Sequence, residues 1–192
     1  MSIRFATRLN ALALYAIAAA LLAAFYDQVV LGELPCPLCL LQRVGFVALA
    51  LGPVLTLRYG PRPAYYGLVI IAALIGAGIA GRQVLLHIAP GDPGYGSALF
   101  GYHFYTWAFV CFATAIAASA AMLLGEAQFA AEPAAPELGW FETTAVWLVI
   151  AVTALNAVSV LLECGFGWCP ANPIHYELIQ GMSGGTSGAG AS

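Results

Sequence analysis

Charge is what this sequence has least of: Asp, Glu, Lys and Arg make up 8% of its 192 residues, and the formal net charge is −3. Lysine is absent, so all six basic residues are arginines, scattered at Arg4, Arg8, Arg43, Arg58, Arg62 and Arg82. No basic run can track a phosphate backbone, which argues against a nucleic-acid partner. Internal repeats are also missing. With 62% hydrophobic residues and a mean hydropathy of +0.89, a soluble domain is excluded as well. What remains is an integral membrane protein long enough for several spans.

Hydropathy and arginine placement divide the chain into five spans. An uncharged run over 9–26, behind Arg4 and Arg8, reads as a first span at about 11–30, close to the ~20 residues a membrane helix needs. A cleaved signal peptide is the rival, but the run exceeds the usual ~7–15-residue apolar core and no clear small-residue cleavage site follows. Either way Arg4 and Arg8 stay on the cytoplasmic side and residues 27–36 emerge outside. A second span, about 38–57, ends in the turn Arg58-Tyr59-Gly60-Pro61-Arg62-Pro63, whose arginines also point to the cytoplasm. The third, about 64–88, carries Arg82, Gln83 and His87 near its outer end, and Pro90-Gly91-Asp92-Pro93-Gly94 closes a short outer loop. The fourth, about 102–124, opens on the interfacial aromatics Tyr102, Phe104, Tyr105 and Trp107. An Ala-, Pro- and Glu-rich stretch over 125–142 is expected to be a cytoplasmic linker. Residues 143–162 carry no charge, form a fifth span and return the chain outside for a tail from 163. In that tail Asn172-Pro173 suits the start of a short helix over 174–179, and 184–192 is expected to be disordered. The expected fold is therefore all-α, a single transmembrane bundle of five helices over 1–183, with the N-terminus cytoplasmic and the C-terminus outside.

Five cysteines divide most simply into two pairs and one remainder. In Pro35-Cys36-Pro37-Leu38-Cys39-Leu40-Leu41-Gln42-Arg43, proline suits the first position of a helix. Cys36 then reads as N-cap and Cys39 as N3, where the helix start favours an anion. Arg43 lies one turn on from Cys39, and both influences lower a thiol pKa, which makes Cys39 the expected thiolate of a redox dithiol. The topology, drawn without the cysteines, puts Cys36, Cys39, Cys164 and Cys169 all outside. Two pairs on an oxidising face are either structural staples or an electron relay, and Cys164 with Cys169 would close a small loop in either case. A four-thiolate zinc site is a further alternative, disfavoured by the compartment and by the C-x4-C spacing, so no metal site is expected.

Arg43 and Arg82 each fall about six or seven residues inside the outer end of a span, roughly 10 Å deep. Arginine at such depth is costly and by default functional, with snorkelling as the alternative. Gln83 and His87 share a helical face. Together these side chains could bind the carbonyl of a flat, lipid-soluble oxidant between helices. Cys111, in an apolar run, is expected to be a small core residue.

The motif Cys36-Pro37-Leu38-Cys39-x-x-Gln42-Arg43 after a first span, a basic turn, and Arg82-Gln83-x-x-x-His87 closing a third span resemble the disulfide bond formation protein B (DsbB) family over about 31–124. The resemblance implies a bacterial inner-membrane protein that reoxidises a periplasmic DsbA-like thiol oxidase and passes the electrons to a quinone, ubiquinone or menaquinone. By the same resemblance Cys39 faces the quinone with Arg43 in support, and Cys36 exchanges with the second pair. Arg82, Gln83 and His87 are the other expected quinone-site residues. One departure is plain: the outer loop over 89–101 has no cysteine, and the second pair follows an additional span. That arrangement resembles a five-span branch with the exchange pair moved to a periplasmic tail. A vitamin K epoxide reductase-like protein shares the helical bundle and paired cysteines, but its motif placement fits less well.

Overall fold

The computed structural model describes residues 3–129, 136–167, 169–170 and 173–179. Among the described residues five helices are long and apolar enough to cross a membrane: α1 (Ile3–Val29), α2 (Pro37–Tyr59), α3 (Pro63–Leu86), α4 (Phe104–Leu123) and α5 (Trp140–Cys164). The chain is an all-α, multi-pass membrane protein. Beyond the helices there is a two-residue hairpin, β1 (Ala98–Leu99) with β2 (Tyr102–His103), and a 3₁₀ turn at Glu126–Gln128.

Proline and glycine set several helix ends. Pro37 and Pro63 stand in the first turn of α2 and α3, where a missing N–H costs nothing and the fixed φ suits a helix. Gly60 stops α2 at φ +83° while its N–H still reaches the Thr56 carbonyl at 2.9 Å. Glu142 caps α5 by accepting the Gly139 N–H at 3.0 Å. Most of the helices overrun the spans expected from hydropathy. α1 begins at Ile3 rather than near 11, and α5 takes in Glu142 at one end and Glu163 and Cys164 at the other. Backbone hydrogen bonding continues past the apolar slab until a cap or breaker ends it. Tyr102 and His103 leave the expected fourth span for β2, and His87 caps α3. Of the tail helix expected over 174–179, only residues 177–179 are helical, and Asn172 and the stretch over 184–192 lie outside the described residues.

α2 is central and touches all four other helices; α1 packs on α2 and α5, and α3 packs on α2 and α4. The fifth helix therefore joins the bundle through α1. In lipid, close approach of small residues replaces the hydrophobic drive. Phe112 of α4 lies against Gly45 of α2 and Gly76 of α3, and its ring stacks on Phe46 at 4.7 Å between centroids. A Cβ on Gly76 would fall 2.4 Å from that ring. At the end away from the cysteines, Asn10 donates to the Tyr66 hydroxyl at 3.1 Å, and that hydroxyl donates to Gln128 at 3.2 Å. This chain ties α1, α3 and the 3₁₀ turn together without leaving a buried polar group unpaired.

Candidate functional site

The start of α2 builds the site. Cys36 is its N-cap, at φ −70°, and the Cys36 sulfur accepts the Cys39 backbone N–H at 3.2 Å. The helix start thus acts first on Cys36, not on Cys39 as the spacing had suggested, because an N-cap side chain folds back over the N3 amide while the N3 side chain points away from it. The Cys36 thiol is held down to about 7, by a hydrogen bond from the Cys39 side chain above all, against the opposing effect of burial. The N–H groups of Cys39 and Leu38 and the Gln83 amide lower it further. Both thiols are free, whereas Cys164 and Cys169 form a disulfide with a Cα separation of 4.6 Å.

Gln83 of α3, 1% exposed, donates through Nε2 to both sulfurs, at 3.4 Å to Cys36 and 3.5 Å to Cys39. Its carbonyl accepts from Gln42 at 2.7 Å, which fixes the amide's orientation. Arg43 does not snorkel. Its guanidinium is buried and donates to Gln28 at 2.7 Å, to Asn156 at 3.3 Å and to the Ala24 carbonyl at 2.8 Å. It therefore binds α1 and α5 to α2. Gln28 completes the link by donating to Glu163 at 3.2 Å.

Cys39, Gln42 and Arg43 wall a cavity of about 290 Å³ between α1, α2 and α4. Leu21, Phe46 and Trp107 make much of it apolar, and Asp27 and Glu33 stand at its polar edge. The loop between α3 and α4 covers one side: Tyr95 donates to the Leu34 carbonyl at 2.7 Å, and the Ser97 N–H reaches Glu33 at 2.8 Å. Burial, and then the sulfur charges of Cys36 and Cys39, push the Tyr95 hydroxyl up to about 12, so it stays a neutral donor.

The structure brings together Cys36, Cys39, Arg43 and Gln83 of the residues singled out in the sequence. His87 is one layer away, 3.0 Å from Asp92 and stacked on Tyr105, which itself lines the cavity. Arg82 is not brought in: it is exposed and borders a separate groove with Gly78, Leu85 and Phe109. Cys111 corrects the expectation of a core residue. It is exposed, because α4 turns Tyr105, Ala108, Phe112 and Ser119 inward and Cys111 lies about 100° around the helix from Phe112. Sequence reasoning missed Gln28, Asn156 and Glu163. The available signal was that each is a polar side chain in or at the end of an apolar helix.

Fold and cysteines together define a class: a multi-pass helical membrane protein with a paired-thiol centre at one end of its bundle. The family described as disulfide bond formation protein DsbB matches residues 6–162, and the chain belongs to that family. The match runs through most of α5 and stops just short of the tail cysteines. Among curated relatives, Disulfide bond formation protein B of Marinobacter nauticus is 46% identical over 83 residues, covering 41% of this chain and 49% of the relative. The protein of the same name from Xanthomonas euvesicatoria is 47% identical over 74 residues, 36% of this chain and 43% of its own. That of Aromatoleum aromaticum is 38% identical over 94 residues, 46% of this chain and 57% of its own. The chain thus spans about half the length of the curated relatives it matches. No solved structure matches it.

Proposed function

We propose that the protein is a quinone-coupled thiol–disulfide oxidoreductase of the bacterial inner membrane, which reoxidises a periplasmic DsbA-like thiol oxidase and passes the electrons to ubiquinone or menaquinone. The observation that carries this reading is that Cys39 and Arg43, one helical turn apart, wall a single cavity beside Cys36. In this reading the N-terminus and the Arg58–Arg62 turn are cytoplasmic, and the dithiol and tail disulfide are periplasmic, in keeping with the positive-inside rule.

The cavity suits a flat lipid-soluble ring, since its apolar walls meet donors at Gln42 and Arg43 that could take up a carbonyl. Quinone bound there supplies a two-electron acceptor for the Cys36–Cys39 dithiol. The chain's own part is thiol chemistry. A reduced partner thiolate attacks the Cys164–Cys169 disulfide, breaking its S–S bond and forming a mixed disulfide. The partner's second thiolate resolves that bond and leaves oxidised, and Cys164 and Cys169 remain as a dithiol. That dithiol next exchanges with Cys36–Cys39, taking over the disulfide and leaving Cys36 and Cys39 reduced. Arg43 keeps a positive charge one turn from Cys39, which favours the attacking thiolate there, and Gln83 holds both sulfurs. An uphill exchange is tolerable, since a two-electron couple shifts tenfold per ~30 mV and the quinone pool draws the sequence forward. A four-thiolate zinc site would need Cys164 and Cys169 as thiolates, and their disulfide favours the relay.

Quinone reduction followed optically, with a reduced DsbA-like protein as donor, tests the reading. Turnover in the wild type and none in Cys39→Ser or Cys164→Ser is the expected result. Normal turnover in Cys39→Ser would sink the assignment.

A further inference from the structure

We propose that the two sulfurs of the tail disulfide have different duties: Cys169 is attacked by the reduced partner and carries the mixed disulfide, and Cys164 is the sulfur expelled. The inference rests on reading the tail pair as the entry point of the relay, and it assigns the order within that pair. Cys164 is the last residue of α5 and only 6% exposed, next to the fully buried Glu163. The chain then turns outward. Gly165 ends the helix at φ +60°, Phe166 is 92% exposed, and Cys169 is half-buried.

A thiolate attacks a disulfide along the S–S axis, from the side of the sulfur attacked and opposite the sulfur that leaves. To reach Cys164, a partner would have to enter through the packed end of α5, where Glu163 accepts from Gln28 of α1 at 3.2 Å. To reach Cys169 it needs only the open side of the loop. Leaving-group stability pulls the other way. A thiolate expelled at Cys164 lies at the C-terminal end of α5, where the helix dipole disfavours an anion, and this alone would direct attack to Cys164. That effect is modest and confined to the last turn, whereas a buried sulfur is closed to a folded partner, so access decides. The poorly stabilised Cys164 thiolate suits a group that must pass its electrons on, since nucleophilicity falls as a thiolate is stabilised. Its helix is held to α2 by the bond from Arg43 to Asn156 at 3.3 Å and by the chain from Arg43 through Gln28 to Glu163.

In the first step the Cys164–Cys169 bond breaks, a bond between the partner's sulfur and Cys169 forms, and the Cys164 sulfur takes the electron pair. The partner's second thiolate then attacks the partner's own bridged sulfur, closing the partner's disulfide and releasing Cys169 as a thiolate. Two electrons have passed from the partner to the tail pair.

The test needs no substitution in this chain. Oxidised full-length protein in lipid nanodiscs receives a brief pulse of reduced glutathione, is quenched in acid, and is mapped by fragmentation of the tail peptide. Glutathione should be found on Cys169 in at least about tenfold excess over Cys164. Equal labelling, or an excess on Cys164, would overturn the proposal. A second arm uses a reduced DsbA-like thiol oxidase whose second active-site cysteine is replaced by serine, so that the mixed disulfide persists. Its link should run to Cys169, and a link to Cys164 defeats the proposal. A link to Cys36 instead means that the partner bypasses the tail, which defeats the relay reading itself, so the cysteine that carries the partner tells the two failures apart.

Discussion

Replacing Arg43 probes the site at its most connected point. The guanidinium makes three hydrogen bonds, to Gln28, Asn156 and the Ala24 carbonyl, so it joins three helices. A net contribution of about 1.5–3 kcal/mol for each bond to a charged group would sum to more than the whole cluster loses, because the acceptors partly re-pair. Removing one partner from a buried charge cluster costs about 3–5 kcal/mol, and that is the loss expected for Arg43→Met, which strands Gln28, Asn156 and Glu163 together. Arg43→Lys keeps the charge on a single ammonium that cannot serve all three acceptors, and should lose about half as much, roughly 2 kcal/mol. The assay is reversible unfolding in mixed micelles, read alongside the Michaelis constant for quinone. Both variants should raise that constant, Arg43→Met by at least tenfold and Arg43→Lys by less. An Arg43→Met protein within about 0.5 kcal/mol of wild type, with an unaltered Michaelis constant, would mean that Arg43 neither joins the three helices nor serves the quinone site.

Other consequences are independent of Arg43. Because its thiol is held to about 7, Cys36 is thiolate above neutrality and protonated below it, so its alkylation should fall by half near pH 7. Gln83→Leu should move that midpoint upward, and a midpoint that stays put would remove Gln83 from the explanation. Gly76→Leu drives a side chain into the Phe112 ring, where even a Cβ would be 2.4 Å away, and should cost about 1–3 kcal/mol by thermal denaturation in detergent. An unchanged melting temperature would mean that α3 and α4 do not meet there. Tyr95→Phe removes the 2.7 Å bond to the Leu34 carbonyl, and hydrogen exchange in residues 94–99 should rise while the five helices stay protected.

The five helices were legible because their apolar runs are interrupted by Pro, Gly and Arg at the right intervals, and Cys36 as a cap was legible from Pro37 alone. Which side chains of α3 enter the site was not. Arg82 and Gln83 are adjacent and so about 100° apart around the helix, and only packing against α2 selects Gln83, 1% exposed, over Arg82. Long-range polar contacts were hidden for a similar reason. Asn156 is a lone polar residue in an apolar helix, and nothing near it in sequence names Arg43, 113 positions away, as its partner. Glu163 was assigned to the tail because hydropathy ends at Leu162, whereas the helix runs on to Cys164 and carries the carboxylate into the bundle. Cys111 was misplaced because an all-apolar helix in lipid gives no amphipathic signal to tell its inner face from its outer one.

If the Cys36–Cys39 dithiol delivers its electrons directly to quinone, a single turnover must occur without any partner. A Cys164→Ser/Cys169→Ser protein would be reduced, freed of reductant, and mixed anaerobically with a short-chain quinone while quinol and remaining thiols are counted. One quinol should form for each Cys36–Cys39 disulfide, and quinone left unreduced while both thiols persist would mean that this dithiol is not the electron donor.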